Sequence, residues 1–203
     1  MPSKIRNAPI KKCFTKYDPS SRILYLTVNE SEGYSISCWK YDCSLSLLFQ
    51  TCLEPIEPCR GLFLSSHGVC TIERNAFKFW VCGSNAKLIG NYNIKKEIIE
   101  ADMGNAGNIC LLTSDGIVIL CTYEGKYISS FSNENYKFTA LKSEEDLIVL
   151  GTSQGKVEVY QLSTLGFVKK IEYPKQKINR STVNTLCSYP QVANIILSGI
   201  TIT

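Results

Sequence analysis

"LLTSDGIVILC" (residues 111–121) is echoed 39 residues later by "LGTSQGKVEVY" (residues 150–160). Each copy is an apolar run, then Thr-Ser-x-Gly, then a second run rich in Val, Ile or Leu. Gly116 and Gly155 sit where a tight hairpin wants a positive φ, with Asp115 or Gln154 beside them, so each copy predicts two antiparallel strands joined directly. Thr113 and Thr152 end the first strand of each pair, where a hydroxyl bonds locally or to a neighbouring strand.

The same grammar recurs earlier with weaker turns, in "ILYLTVNESEGYSISCW" (23–39) and "GVCTIERNAFKFW" (68–80). The second strands therefore end at Trp39, Trp80, Cys121 and Tyr160, in steps of 41, 41 and 39 residues. Each step leaves room for two more strands. The candidates are "AKLIGNYNI" and "EIIEADM" after Trp80, "YISSFS" and "YKFTALK" after Cys121, and "LGFVKKIEY" and "TVNTLCSY" after Tyr160. Val, Ile, Tyr, Phe and Thr dominate these runs, as a pleated, half-buried surface prefers. A four-stranded sheet cannot cover both its faces alone, and a repeat of about 40 to 45 residues with four strands per unit predicts blades stacked in a β-propeller. The expected fold is all-β, with about four complete blades at 11–54, 59–94, 97–132 and 136–173, and a partial fifth at 181–203. Residues 1–10 form a basic N-terminal segment.

Taken together, these segments resemble the WD40 repeat, in which a variable loop precedes a strand, a small-residue turn and a strand ending in Trp-Asp or a substitute. The terminal pair reads "WK" at Trp39, "WV" at Trp80, "CT" at Cys121 and "YQ" at Tyr160, so no repeat keeps the Asp. The Gly-His dipeptide is missing, and His67, the only histidine, lies 13 residues before Trp80, too near to be the strand-bridging His. The resemblance is to a degenerate member over roughly residues 10 to 203, with an incomplete hydrogen-bonded tetrad in every repeat. "VANIILSGITIT" reads as the second strand of a fifth unit. Two accounts of it are open: the front part of a longer propeller, which is preferred, or a small five-bladed ring closed by the segment near Ile5 to Ile10.

An apolar share of 44% with 20% charged residues is that of an ordinary globular chain. The basic opening "MPSKIRNAPIKKCF" is followed by no apolar core of a signal peptide, and no stretch approaches ~18 uninterrupted apolar residues, so an intracellular protein, cytoplasmic or nuclear, is expected. The triplets at Asn29 and Asn179 then carry no glycosylation signal. Ten cysteines include no C-x-x-C pair, and most lie in apolar runs such as "SISCWKY" and "NICLL". They read as reduced core residues, and no metal or cofactor is expected. A net charge of +4 permits an acidic partner without requiring one.

Several stretches resemble chemical sites. "GTSQG" (151–155) matches G-x-S-x-G with Ser153 in the nucleophile's place, but "KVEVY" alternates like a strand, whereas a nucleophile elbow leads into a helix. His67 reads as a hairpin-tip residue. Glu144, Glu145 and Asp146 fall in a predicted loop; Glu97, Glu100 and Asp102 either line a channel from an inner strand or form a short helix. "KKIEYPKQKINR" (169–180) sets Lys169, Lys170, Lys175, Lys177 and Arg180 around Tyr173, a pattern that grips a phosphate backbone or simply faces water. A second basic group, Lys4, Arg6, Lys11, Lys12 and Lys16, reads as a tail.

The expected role is a non-catalytic scaffold for protein partners in a multi-subunit complex, since function in such folds lives on loops. Tyr34, Arg60, Arg74 and Tyr123 are the expected partner contacts at blade rims, and no small-molecule substrate is expected. The alternatives are a nucleic-acid-contacting subunit using residues 169–180, and a propeller hydrolase using Ser153 or a carboxylate pair.

Overall fold

The computed structural model describes residues 12–18, 21–30, 33–41, 44–53, 59–65, 68–82, 86–104, 107–122, 124–171, 181–188 and 196–202. His67, Tyr123, the segment 5–10 and residues 172–180 lie outside this set. The chain divides into two compact units, residues 1–93 and 94–203.

The first unit holds two four-stranded antiparallel meanders. One is built from β1 (Lys12–Asp18), β2 (Ile23–Glu30), β3 (Gly33–Tyr41) and β4 (Leu45–Leu53). The other consists of β5 (Gly61–Ser65), β6 (Gly68–Ile72), β7 (Ala76–Cys82) and β8 (Ala86–Asn93). Strands succeed one another in space in their order along the chain, as short hairpin turns require. Tyr34, Ile36, Cys59 and Trp80 form a buried cluster between the two sheets.

In the second unit, β9 (Ile98–Met103), β10 (Ile109–Thr113), β11 (Val118–Cys121) and β12 (Tyr127–Phe131) make one meander. A second contains β13 (Phe138–Glu144), β14 (Leu147–Thr152), β15 (Val157–Gln161) and β16 (Phe167–Ile171). A two-stranded sheet pairs β17 (Ser181–Ser188) with β18 (Ile196–Ile202). Thus "EIIEADM" is a strand, and the short-helix alternative for it is excluded.

The uninterrupted "LIVLG" of β14 follows from its setting. Ile148 and Leu150 pack with Cys110, Leu112, Val118 and Leu120 of the preceding sheet. Val149, on the opposite face, packs with Val183 and Leu186 of β17. A strand covered on both sides has no polar face to alternate with. Gly151 permits this closeness: a Cβ there would stand 2.5 Å from Val183 Cγ1. Each Leu or Val removed from water in this stack contributes roughly 1.5–3 kcal/mol.

The doubled Thr-Ser-x-Gly signature is a hairpin with a three-residue loop. Thr113 N–H donates to the Ile117 carbonyl and Gly116 N–H to the Thr113 carbonyl; Thr152, Gly155 and Lys156 repeat both bonds. The glycines have φ of 87° and 71°, the left-handed conformation that ends a type I turn of this length. Each threonine hydroxyl accepts the N–H of the residue four positions on. A third copy, unforeseen, lies between β11 and β12: Thr122, Gly125 and Lys126 make the same three bonds, with Gly125 at φ 85°.

The four residues at the repeat interval share one structural position. In every meander the pairing of third and fourth strands slips by a residue there, at Cys38/Trp39, Phe79/Trp80, Leu120/Cys121 and Val159/Tyr160. Such a bulge kinks the outer strand and increases its twist. The period read along the chain is therefore the period of a bulge.

Candidate interaction surface

At these repeat ends, each aromatic residue needs a polar partner for its buried tip. Trp39 Nε1 donates to Ser37 Oγ at 3.0 Å, two residues back on the same face of β3. Tyr160 makes the same backward bond to Glu158, 2.8 Å. In β7 the residue two back is Lys78, and Trp80 Nε1 donates instead across the sheet to Thr71 Oγ1 at 2.9 Å. Cys121 has no such tip.

Glu158 is 3% exposed, a carboxylate inside a strand. Its two oxygens accept from the hydroxyls of Tyr136 and Tyr160, so neither lone-pair set is stranded. Burial, then the carboxylate itself, pushes the Tyr136 phenol up to about 12, and the same causes raise Tyr160. Both therefore remain donors at neutral pH. Phe131, Phe138 and Phe167 pack around Tyr160 with centroid separations of 4.7, 6.1 and 5.6 Å. Sequence reading missed Glu158; the i to i+2 pairing of "EVY", parallel to "SCW", is the signal that could have found it.

Tyr34, expected on a rim, is instead 1% exposed. Its hydroxyl lies 3.0 Å from Thr71 Oγ1 and donates to Glu73 Oε1 at 3.2 Å, joining β3 to the second sheet of its unit. Desolvation raises this phenol far above its ordinary range. Alternation along β3 turns the ring inward, and the hydroxyl bonds there, so Tyr34 joins two sheets of its unit instead of standing on a rim.

Arg60 and Arg74 are exposed, and the fold brings them to one end of the second sheet. Arg60 N–H bonds to the Ile72 carbonyl at 2.6 Å, and Arg74 occupies the turn that follows Ile72 and Glu73. The buried Glu73 carboxylate accepts from Lys78. Lys169 and Lys170 are exposed at successive positions on β16 and hence project from opposite faces, so no one face carries both charges. Tyr123, Lys175, Lys177 and Arg180 lie outside the described residues.

The residues with catalytic appearance are engaged in holding strands. Ser153 occupies an exposed turn between two strands, its N–H bonded to the Lys137 carbonyl at 2.9 Å and its Oγ accepting the Lys137 N–H at 3.2 Å. A nucleophile elbow leads from strand to helix, and this turn leads from strand to strand. Glu100 Oε2 accepts the Leu141 N–H at 2.6 Å, and Asp102 Oδ2 accepts the Ser143 N–H and the Lys142 ammonium, both at 2.7 Å. The pair thus spans from β9 to β13. Burial pushes the Glu100 carboxyl up, opposed by the Leu141 N–H. Glu145 and Asp146 form the two-residue turn between β13 and β14, with Glu145 at φ 51°.

Among the described residues, Cys38, Cys59, Cys70, Cys110 and Cys121 are buried thiols. Burial pushes Cys110 up to about 12 and Cys121 to about 11, which favours the neutral thiol at physiological pH.

No family model matches the sequence, and none of the curated proteins does. The structure is similar to the computationally designed Ika8 protein, with a TM-score of 0.64 and 16% identity, over 91% of this chain and 54% of that one. It is similar to the designed Ika4 protein at 0.58 and 16%, over 73% of this chain and 92% of that one. Against the Neurospora crassa Pan2 WD40 domain the TM-score is 0.61 at 12% identity, over 95% and 60% respectively. This chain therefore spans little more than half the length of Ika8 and of the Pan2 domain. The fold is a β-propeller of WD40 type, in four four-stranded sheets and one of two strands among the described residues.

Proposed function

We propose that this chain is a non-catalytic scaffold that holds protein partners within a multi-subunit assembly inside the cell. One observation carries the reading. All four outer strands expose large apolar side chains: Leu45, Leu47 and Leu48 on β4, Leu88 and Ile89 on β8, Tyr127 and Ile128 on β12, and Phe167, Val168 and Ile171 on β16. Exposed apolar surface recurring on successive sheets marks interaction sites, whereas the polar groups that resemble chemistry are bonded between strands. The buried free thiols support a reducing compartment.

The test is affinity capture of the full-length chain from its native cells, with and without Arg60→Glu and Arg74→Glu. A small set of proteins in fixed ratio, reduced by the double reversal, is the expected result. Capture of RNA alone, lost steeply as salt rises, would replace this reading with nucleic-acid contact, and turnover in a hydrolase screen abolished by Ser153→Ala would replace it with catalysis.

A further inference from the structure

Three hairpins share one turn and differ in the residue ahead of its left-handed glycine: Asp115 before Gly116, Glu124 before Gly125 and Gln154 before Gly155. The backbone and threonine bonds are the same in all three, so the comparison isolates the length and charge of that side chain. An aspartic acid is open to attack at Cγ by the backbone nitrogen of the next residue. The new N–Cγ bond closes a five-membered imide, while the amide proton and the carboxyl hydroxyl leave as water. Water then reopens the imide at either carbonyl. One route restores aspartate; the other leads the main chain through Cβ and Cγ as an isoaspartyl linkage. A following glycine has no side chain to hinder the ring closure. No other Asp, and no Asn, precedes a glycine in this chain. Glu124 and Gln154 would have to close a six-membered ring, which forms more slowly.

The fold requires the glycine. Gly116 has φ 87°, and a Cβ there would stand 2.9 Å from Lys137 Cβ. The same turn restrains both reacting atoms. Gly116 N–H donates to the Thr113 carbonyl at 2.9 Å. Asp115 Oδ1 accepts the Thr113 hydroxyl at 2.6 Å, and Oδ2 lies 3.0 Å from Lys96 Nζ. These two partners, Thr113 first, hold the Asp115 carboxyl below its ordinary range. An ionised carboxylate has no hydroxyl to lose. Ring closure therefore waits on an opening of the turn that frees the nitrogen and lets the acid take up a proton.

We propose that Asp115–Gly116 is a site of spontaneous main-chain isomerisation, held in check by a clamp of the Thr113 hydroxyl and the Lys96 ammonium on the Asp115 carboxylate. The isoaspartyl product lengthens the main chain of a three-residue loop by one carbon where that loop packs against Lys137, ahead of β13. The proposal goes beyond the scaffold reading and does not depend on it.

Incubation of the full chain at neutral pH in water enriched in heavy oxygen, followed by peptide mapping, tests it, because each imide that reopens takes up a solvent oxygen. Label should enter at Asp115 ahead of Glu124 and Gln154. In the folded chain it should enter more than about tenfold more slowly than in urea, since at least two hydrogen bonds must break first. Thr113→Val should speed the folded-state rate about fivefold, the worth of one hydrogen bond. Lys96→Met should speed it about twofold, as removal of an exposed ion pair does. Lys96 takes no part in the turn's backbone bonds, so its variant tests the clamp even if Thr113→Val disturbs the hairpin. Neither variant should change the rate in urea, and Asp115→Glu should abolish the fast labelling. A folded rate equal to the urea rate, or a folded rate that Lys96→Met leaves unchanged, overturns the proposal. So does label at Gln154 that keeps pace with Asp115, or label at no site in either state.

Discussion

Adjacent sheets in the two units are tied by different chemistry. In the first, Asn29 of β2 makes a paired bond to one residue of the next sheet's approach: its Nδ2 donates to the Cys59 carbonyl at 2.8 Å and its Oδ1 accepts the Cys59 N–H at 2.9 Å. The Tyr34 hydroxyl adds a tie to Thr71 and Glu73. In the second, carboxylates accept backbone N–H groups of the next sheet directly, Glu100 that of Leu141 and Asp102 that of Ser143, with Lys142 beside it. An amide carries a donor and an acceptor and thus copies a step of the β-ladder without charge, whereas a carboxylate only accepts and must be desolvated. Asp102 offsets that cost with the Lys142 ammonium. Glu100 accepts the Leu141 backbone N–H, and burial keeps its pKa raised.

If the carboxylate ties are structural, the largest loss should come from Asp102→Ala, which strands a half-buried ammonium and a backbone N–H together. A loss of about 2–4 kcal/mol in urea unfolding followed by circular dichroism is expected, with Asp102→Asn between it and the wild type. An Asp102→Ala chain as stable as the wild type would leave the ties of the second unit to apolar packing alone.

The hydroxyl tie of the first unit should cost less to break. Tyr34→Phe removes one hydroxyl, but Thr71 keeps the Trp80 indole and Glu73 keeps Lys78. About 1–2 kcal/mol should be lost, and tryptophan fluorescence isolates it because Trp39 and Trp80 both lie in the first unit.

Glu100→Gln should have the smallest effect and the opposite sign. The amide keeps an oxygen for the Leu141 N–H and removes the buried charge. The folded pKa of Glu100 lies above its ordinary 4.5, so the native state binds the proton more tightly and wild-type stability falls as pH rises from 4.5 through the raised value. The variant should equal the wild type or exceed it by up to about 1 kcal/mol at pH 7. That margin should vanish below pH ~4, where the wild-type residue is protonated in both states. A margin independent of pH would show that Glu100 acts by packing.

Much of this fold is legible along the chain. Thr-Ser-x-Gly and period-two apolar runs locate strands because a left-handed glycine and an alternating pleat are properties of a few neighbouring residues. The forty-residue step located the bulged position in all four meanders for the same reason. The Thr122 copy of the turn escaped notice because "TYEGK" lacks the serine that marks the other two and follows a strand of four residues.

The polar interior was not legible, and Tyr34, Glu158, Glu100 and Asp102 show why. A tyrosine near the start of a strand and a glutamate between two valines both read as surface residues by alternation. Thr71 and Glu73 stand 37 and 39 positions from Tyr34, and Leu141 stands 41 from Glu100. Tyr136 stands 22 from Glu158.

Strand, turn and period are thus written locally, since they answer to φ and to side-chain alternation. Which polar groups are buried, and whether a carboxylate is a reagent or a fastening, depends on partners that arrive only when one sheet is laid against the next.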